Sequence, residues 1–267
     1  AANGCTATDS VTVTVDKTAP TASISSQTNV DCFGNTNGSL TVAGADGTAP
    51  YTYAKDGITF SESGTFASLA AGSYTITVKG ANGCTTTQAV TITQPNKLIC
   101  NVQQIKSVTI YGHNDGSAKV TASEGVAPYT YLWDNNETTE TAIALSSGLH
   151  EVTVTDKNNC TTKCQVLITE PGALSCNTKI IKNVICYGES NGSAEVIASA
   201  GVSPYSYSWA NGETTATAIN LNAGKHIVTI TDTNGAITKC EVTITQPEIA
   251  VSVSGVPTNA SCKGSND

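Results

Sequence analysis

The 267-residue sequence predicts an all-β fold, a series of β-sandwich repeats of about 76 residues in an elongated rod, and three observations predict it. The first is a recurring strand. Pro128-Tyr129-Thr130-Tyr131-Leu132-Trp133 returns as Pro204-Tyr205-Ser206-Tyr207-Ser208-Trp209 and, more weakly, as Pro50-Tyr51-Thr52-Tyr53-Ala54-Lys55. Aromatics on every second residue share one face of a pleated strand. The second is alternation: runs such as Ser73-Tyr74-Thr75-Ile76-Thr77-Val78 are frequent, and no window sustains a 3.6-residue apolar period. The third is punctuation. Pro95, Pro171 and Pro247 stand 76 residues apart, as do Gly72, Gly148 and Gly224, and a fixed step of this size marks a repeat protein.

Three whole repeats follow, over residues 21–96, 97–172 and 173–248. Residues 1–20 read as the final strand of a preceding repeat, and 249–267 as the start of a fourth, in which Cys262-Lys263-Gly264 echoes Cys186-Tyr187-Gly188. A single strand cannot bury a face by itself, so the chain reads as a piece of a longer array. The first repeat carries two extra residues, which fall in the loop over 57–64.

In the second repeat, Leu98–Val102 forms the opening strand, and the chain then passes to the Gly112–Gly116 turn. Ala118, Val120 and Ala122 alternate inward on the next strand, and the aromatic strand Tyr129–Trp133 follows. Asn135-Asn136 turns into Thr141–Leu145, Ser146-Ser147-Gly148 into His150–Asp156, and Lys157–Asn159 into Cys160–Thr169. About seven short strands with turns every 8–12 residues predict an immunoglobulin-like sandwich. Trp133 falls where such sandwiches bury a Trp. Leu69-Ala70-Ala71-Gly72-Ser73-Tyr74 has the form of a tyrosine corner, in which the phenol ties back to the main chain. His150 and His226 stand at the place of Tyr74, which removes two of the three histidines from catalytic candidacy; His113 lies in a Gly-flanked, solvated turn.

Composition narrows the function. The net charge is −8 and all 13 basic residues are Lys, scattered along the chain. Nucleic-acid binding needs clustered Lys and Arg, so this composition speaks against it. No apolar run approaches the roughly 18 residues of a membrane helix, so membrane insertion of this segment is not expected. Ten Cys in a β-rich chain suggest an oxidising, extracytoplasmic setting. There is no Cys-x-x-Cys pair and the His residues do not cluster with cysteines, which places disulfides ahead of metal.

Internal comparison suggests the pairing. Cys100 and Cys176 are equivalent positions, as are Cys164 and Cys240, while the first repeat has Ala22 and Gln88 there. Partners present or absent together predict Cys100–Cys164 and Cys176–Cys240, between the first and last strands of a sandwich. Cys32–Cys84 is the expected pair of the first repeat. Its equivalents are half lost, Ile110 with Cys160 and Cys186 with Ala236. Cys160 and Cys186 are therefore left over, read first as free buried thiols, with competition for other partners or cross-linking of repeats or chains as the alternatives. Cys5 and Cys262 are expected to pair outside this stretch.

These residues carry a resemblance. Cys-x-Gly-x-x-x-Gly-Ser, then Pro-Tyr-x-Tyr-x-Trp, Leu-x-x-Gly-x-Tyr, Asp-x-Asn-Gly-Cys and Ile-Thr-Gln-Pro form a series that resembles the SprB repeat. It is clearest at Cys32-Phe33-Gly34, Asn37-Gly38-Ser39, Tyr205–Trp209, Asp232–Gly235 and Ile244–Pro247. The resemblance implies a segment of a very large surface adhesin of gliding Bacteroidota, exported by type IX secretion, and hence an extracellular location on a bacterial cell surface. Lys55 in place of Trp and the corner histidines depart from the pattern.

Catalysis has no clustered titratable groups to rest on, and no cofactor is expected. Calcium is the one candidate ion, through Asp156 and Asp232, although Asp-x-Asn-Gly is also what a tight turn wants. The aromatics Tyr51, Tyr53, Tyr129, Tyr131, Trp133, Tyr205, Tyr207 and Trp209 read mainly as core; facing outward, they would stack on sugars. Asp9-Ser10-Val11 matches a short O-glycosylation motif. The expected role is mechanical: stalk repeats whose partners are neighbouring repeats. The alternatives are a module for surface polysaccharide, or a filament subunit assembling with like chains by strand exchange.

Overall fold

A computed structural model of the chain describes residues 9–248. The expectations for Cys5, for residues 1–8 and for 249–267 with Cys262 concern residues outside this range. The first six strands are β1 (Thr21–Thr28), β2 (Gly38–Ala45), β3 (Thr52–Ala54), β4 (Thr65–Leu69), β5 (Gly72–Lys79) and β6 (Thr85–Ile92). The next are β7 (Ile99–Lys106), β8 (Gly116–Ser123), β9 (Thr130–Trp133), β10 (Thr141–Leu145), β11 (Gly148–Thr155) and β12 (Thr161–Ile168). The last are β13 (Ser175–Lys182), β14 (Gly192–Ser199), β15 (Ser206–Trp209), β16 (Thr217–Leu221), β17 (Gly224–Thr231) and β18 (Ile237–Ile244). The fold is all-β, with no helix among the described residues.

Each series of six forms two three-stranded sheets, ordered β1-β2-β4 with β3-β5-β6, β10-β8-β7 with β12-β11-β9, and β13-β14-β16 with β15-β17-β18. Six strands, rather than about seven, form because the passage after the first strand is a turn. At Cys32-Phe33-Gly34 the amide of Asn35 returns to the Cys32 carbonyl at 3.1 Å, with Gly34 at φ +83, a conformation glycine adopts without Cβ strain. Residues 9–20 carry no strand. Val11, Val13 and Val15 alternate as a strand would, yet all three are exposed, and no sheet among the described residues pairs with them.

The described residues divide into two compact units, 9–103, 119–140 and 151–165 in one, and 104–118, 141–150 and 166–248 in the other. In the first, Leu40 and Val42 of β2 meet Ile76 and Val78 of β5 and Ile92 of β6 in one buried cluster, so two sheets pack face to face. Tyr53 joins this cluster, and its ring lies against Gly64, where a Cβ would stand 3.2 Å from it. Lys55, at the position of the Trp in the other repeats, is exposed. The same unit holds β9 against β11, with Tyr131 opposite Val154 and Trp133 opposite Val152. Trp133 is buried, its Nε1 donating to the Thr139 carbonyl at 3.0 Å.

In the second unit, Ala194 and Val196 of β14, Trp209 of β15, Val228 and Ile230 of β17 and Ile244 of β18 form the core. The Trp209 Nε1 donates to the Thr215 carbonyl at 2.9 Å, the partner a buried indole needs. Cys176 on β13 is joined to Cys240 on β18. These are edge strands of opposite sheets, so the bond closes one side of the sandwich. In the first unit, Cys100 on β7 is joined to Cys164 on β12 in the same way.

The corner is present in all three repeats. Tyr74 Oη donates to the Ala70 carbonyl at 2.9 Å. The Nε2 of His150 meets the Ser146 carbonyl at 3.0 Å and that of His226 the Asn222 carbonyl at 2.9 Å. A carbonyl can only accept, so Nε2 carries the proton in both.

Candidate functional site: the repeat junction

The side chains with most to explain gather where one repeat meets the next. Asp156 and Asp232 are almost fully buried. Asp156 Oδ1 accepts from the amides of Asn158 and Cys160 at 2.8 and 2.9 Å, and Oδ2 from that of Val126 at 3.0 Å. Asp232 repeats the set with Asn234, Ala236 and Val202 at 2.9, 2.8 and 2.9 Å. Burial pushes the Asp232 carboxyl up, but these main-chain donors outweigh it and hold it below the usual range. These amide bonds occupy lone pairs that a cation would need. The two calcium candidates are turn anchors, and no group of three or more His, Cys, Asp or Glu among the described residues is placed to hold a metal.

The anchored turn projects its third residue at the preceding repeat. Asn158 Nδ2 donates to the Asp31 carbonyl at 2.8 Å, and Asn234 Nδ2 to the Thr109 carbonyl at 2.7 Å. Asp31 and Thr109 are equivalent, each one residue before the Cys-x-Gly turn position. Asn82 Nδ2 donates instead to the Thr18 carbonyl at 3.0 Å, in the segment that leads into β1 of its own repeat. In the first repeat Gly80 stands at the anchor position, and Asp16 reaches the loop instead, accepting from Thr48 Oγ1 at 2.6 Å. That bond, with the Thr18 amide and hydroxyl, holds the Asp16 carboxyl at about 2.

One junction is covalent. Cys32 is bonded to Cys160, with Cα atoms 5.6 Å apart and a sequence separation of 128. The expected Cys32–Cys84 pair is therefore corrected, and so is the reading of Cys160 as a free thiol. Internal comparison had matched residues within one repeat, whereas the Cys-x-Gly turn lies against the hairpin turn of the next. Cys84 and Cys186 are the free cysteines among the described residues, the first partly buried and the second exposed rather than buried as expected. The signal that sequence reasoning missed was already visible: Ile110 and Ala236, one repeat on, are absent as cysteines together.

The turn that presents Cys32 is fastened from behind by the residue before each repeat-ending proline. Gln94 Oε1, Glu170 Oε2 and Gln246 Oε1 accept the amides of Gly34, Gly112 and Gly188 at 2.8, 2.8 and 3.0 Å. A groove of ≈ 360 Å³ lies at each junction, one lined by Cys32, Phe33, Lys97, Leu98 and Cys160, the other by Ile110, Tyr111, His113, Leu174 and Ala236. His113 thus lies on a junction groove. Phe33, Tyr111 and Tyr187, at one equivalent position, are 53%, 56% and 54% exposed.

The aromatic stripe lies elsewhere. Trp133, Trp209 and Tyr53 are buried; Tyr131 and Tyr207 are half-buried, and burial raises the Tyr131 phenol. Tyr51, Tyr129 and Tyr205 donate to the carbonyls of Asp46, Glu124 and Ala200 at 2.5, 2.6 and 2.7 Å. These acceptors have φ of 54, 62 and 57, so each phenol pins a left-handed turn.

No curated protein matches the chain. Among solved structures it is similar to a 282-residue C-terminal fragment of intimin, at 11% identity and TM-score 0.28, covering 64% of this chain and 57% of that one. Domains 4–9 of the surface layer protein SbsC (14% identity, TM-score 0.25, 88% and 48% covered) and the human desmocollin-1 ectodomain (13%, 0.28, 88% and 60%) are comparable. The chain spans about half to three fifths of each, and no function transfers at such distance. The family model described as the SprB repeat matches residues 24–58, 103–138 and 178–214. The chain thus carries three segments that match the SprB repeat, one in each 76-residue step.

Proposed function

We propose that the chain is a load-bearing, non-enzymatic repeat region of a secreted cell-surface adhesin, of the gliding-associated, type IX-exported kind that the SprB resemblance implies. The observation that carries this is the covalent bypass. Tension entering before Cys32 crosses to Cys160, follows the main chain to Cys176 and crosses again to Cys240. Most of each repeat hangs off this path unloaded. Reaction chemistry has little to stand on, since His150 and His226 are spent on main-chain carbonyls. Antibody labelling and protease shaving of intact producing cells should find the repeats outside; recovery solely from the cytoplasm sinks the proposal.

A second reading is favoured by the half-exposed Phe33, Tyr111 and Tyr187 on the junction turns. Aromatic faces presented at regular spacing suit stacking on a polysaccharide. It predicts glycan-array binding that weakens in Phe33→Ala/Tyr111→Ala; equal signal from both proteins rules it out.

A further inference from the structure

Cys84 and Cys186 occupy the two halves of a junction that is closed elsewhere in the same chain. Cys186 lies in the same turn as Cys32, with the amide of Glu189 returning to its carbonyl at 3.2 Å and Gln246 holding Gly188. Cys84 lies in the hairpin turn of the first repeat equivalent to that of Cys160, 76 residues earlier. The Asn158 and Asn234 contacts recur whether or not the disulfide is present, so the docking geometry does not depend on the bond. Cysteine is present on both sides of the 1–2 junction and on neither side of the 2–3 junction.

We propose that Cys186 is a covalent coupling site for a further repeat of this type, taking the turn cysteine of an Asp-x-Asn-x-Cys hairpin that follows it. The polarity is fixed: the Cys-x-Gly turn of one repeat bonds the hairpin-turn cysteine of the next. A repeat with cysteine at both positions passes the link on, and a junction with Ile110 and Ala236 on its two sides interrupts it. Chemically, two S–H bonds break and one S–S bond forms. Two electrons and two protons pass, through a mixed disulfide, to an oxidant of the thiol–disulfide oxidoreductase class, whose own disulfide is reduced to a dithiol. The inference rests on the junction geometry and stands apart from the adhesin reading.

The test extends the chain after Glu248 by a second copy of residues 97–172 and maps disulfides by mass spectrometry after oxidative refolding. Cys186 should be bonded to the Cys160 of the appended copy, while the appended Cys100–Cys164 bond reports that the copy has folded. A free Cys186 beside a closed appended Cys100–Cys164 overturns the proposal. Should the appended copy fail to fold, the unextended chain supplies a second arm: Ile110→Cys/Ala236→Cys should lose two further hydrogens and show a 110–236 linked peptide, with both single variants keeping a free thiol. Two free introduced thiols beside intact Cys32–Cys160 and Cys176–Cys240 bonds overturn it equally.

Discussion

How far the chain stretches follows from its covalent connectivity. With all bonds closed, the loaded path skips the 128-residue segment between Cys32 and Cys160 and the 64-residue segment between Cys176 and Cys240. Serine at Cys32 and Cys160 leaves Cys100–Cys164 as the next shortcut, so the 128-residue bypass is replaced by one of 64. At about 3.4 Å per extended residue the fully stretched length should grow by about 220 Å. Serine at Cys100 and Cys164 as well should add about another 220 Å, and the same change at Cys176 and Cys240 about 220 Å more. Serine at Cys100 and Cys164 alone should add nothing, because that bond lies off the loaded path while Cys32–Cys160 holds. Single-molecule force–extension on the oxidised proteins reads these lengths directly. A native oxidised chain that stretches as far as its reduced form, or a Cys100/Cys164 variant that lengthens on its own, refutes the bypass.

Three further outcomes follow from the junction and core. Asp232→Ala removes the buried carboxylate that accepts the amides of Val202, Asn234 and Ala236 and should cost about 1–3 kcal/mol in denaturant unfolding, with calcium leaving both proteins' melting unchanged. Gly192→Ala would set a Cβ 2.8 Å from Ile244 Cγ2 and 2.9 Å from the Leu221 carbonyl, and should destabilise by about 1–3 kcal/mol; an unaltered melting temperature would show that β14 yields. The Gly112 amide holds the Glu170 carboxyl below the usual range. A depressed folded value means the tie is complete above the ordinary glutamate range near about pH 4.3 and is lost as pH falls through the folded value. The protection factor of the Gly112 amide, its exchange rate corrected for the intrinsic pH dependence, should therefore fall on acidification in the native protein and stay level in Glu170→Gln, which copies the Gln94 and Gln246 of the other repeats; parallel acid responses refute the assignment.

Much of this was legible locally. Alternation placed the aromatic strands, and a repeated Leu-x-x-Gly-x-Tyr/His step placed the corner, because both depend on side chains a few residues apart. Paired presence and absence found Cys100–Cys164 and Cys176–Cys240. The same logic confined within one repeat misassigned Cys32, and Asp-x-Asn-Gly could be read as an ion ligand as well as a turn.

The sequence by itself determined the period, the all-β class, the inward face of strands such as those of Val120 and Trp133, and the terminal-strand disulfides, since those are set by pleat geometry and by patterns that recur every 76 residues. Only the tertiary structure decided that the Cys-x-Gly turn meets the hairpin of the following repeat, that Asp156 and Asp232 accept main-chain amides from two loops, and that Cys32 reaches Cys160. These depend on which turns lie against each other in space, and no strand periodicity encodes the docking of one folded repeat on the next.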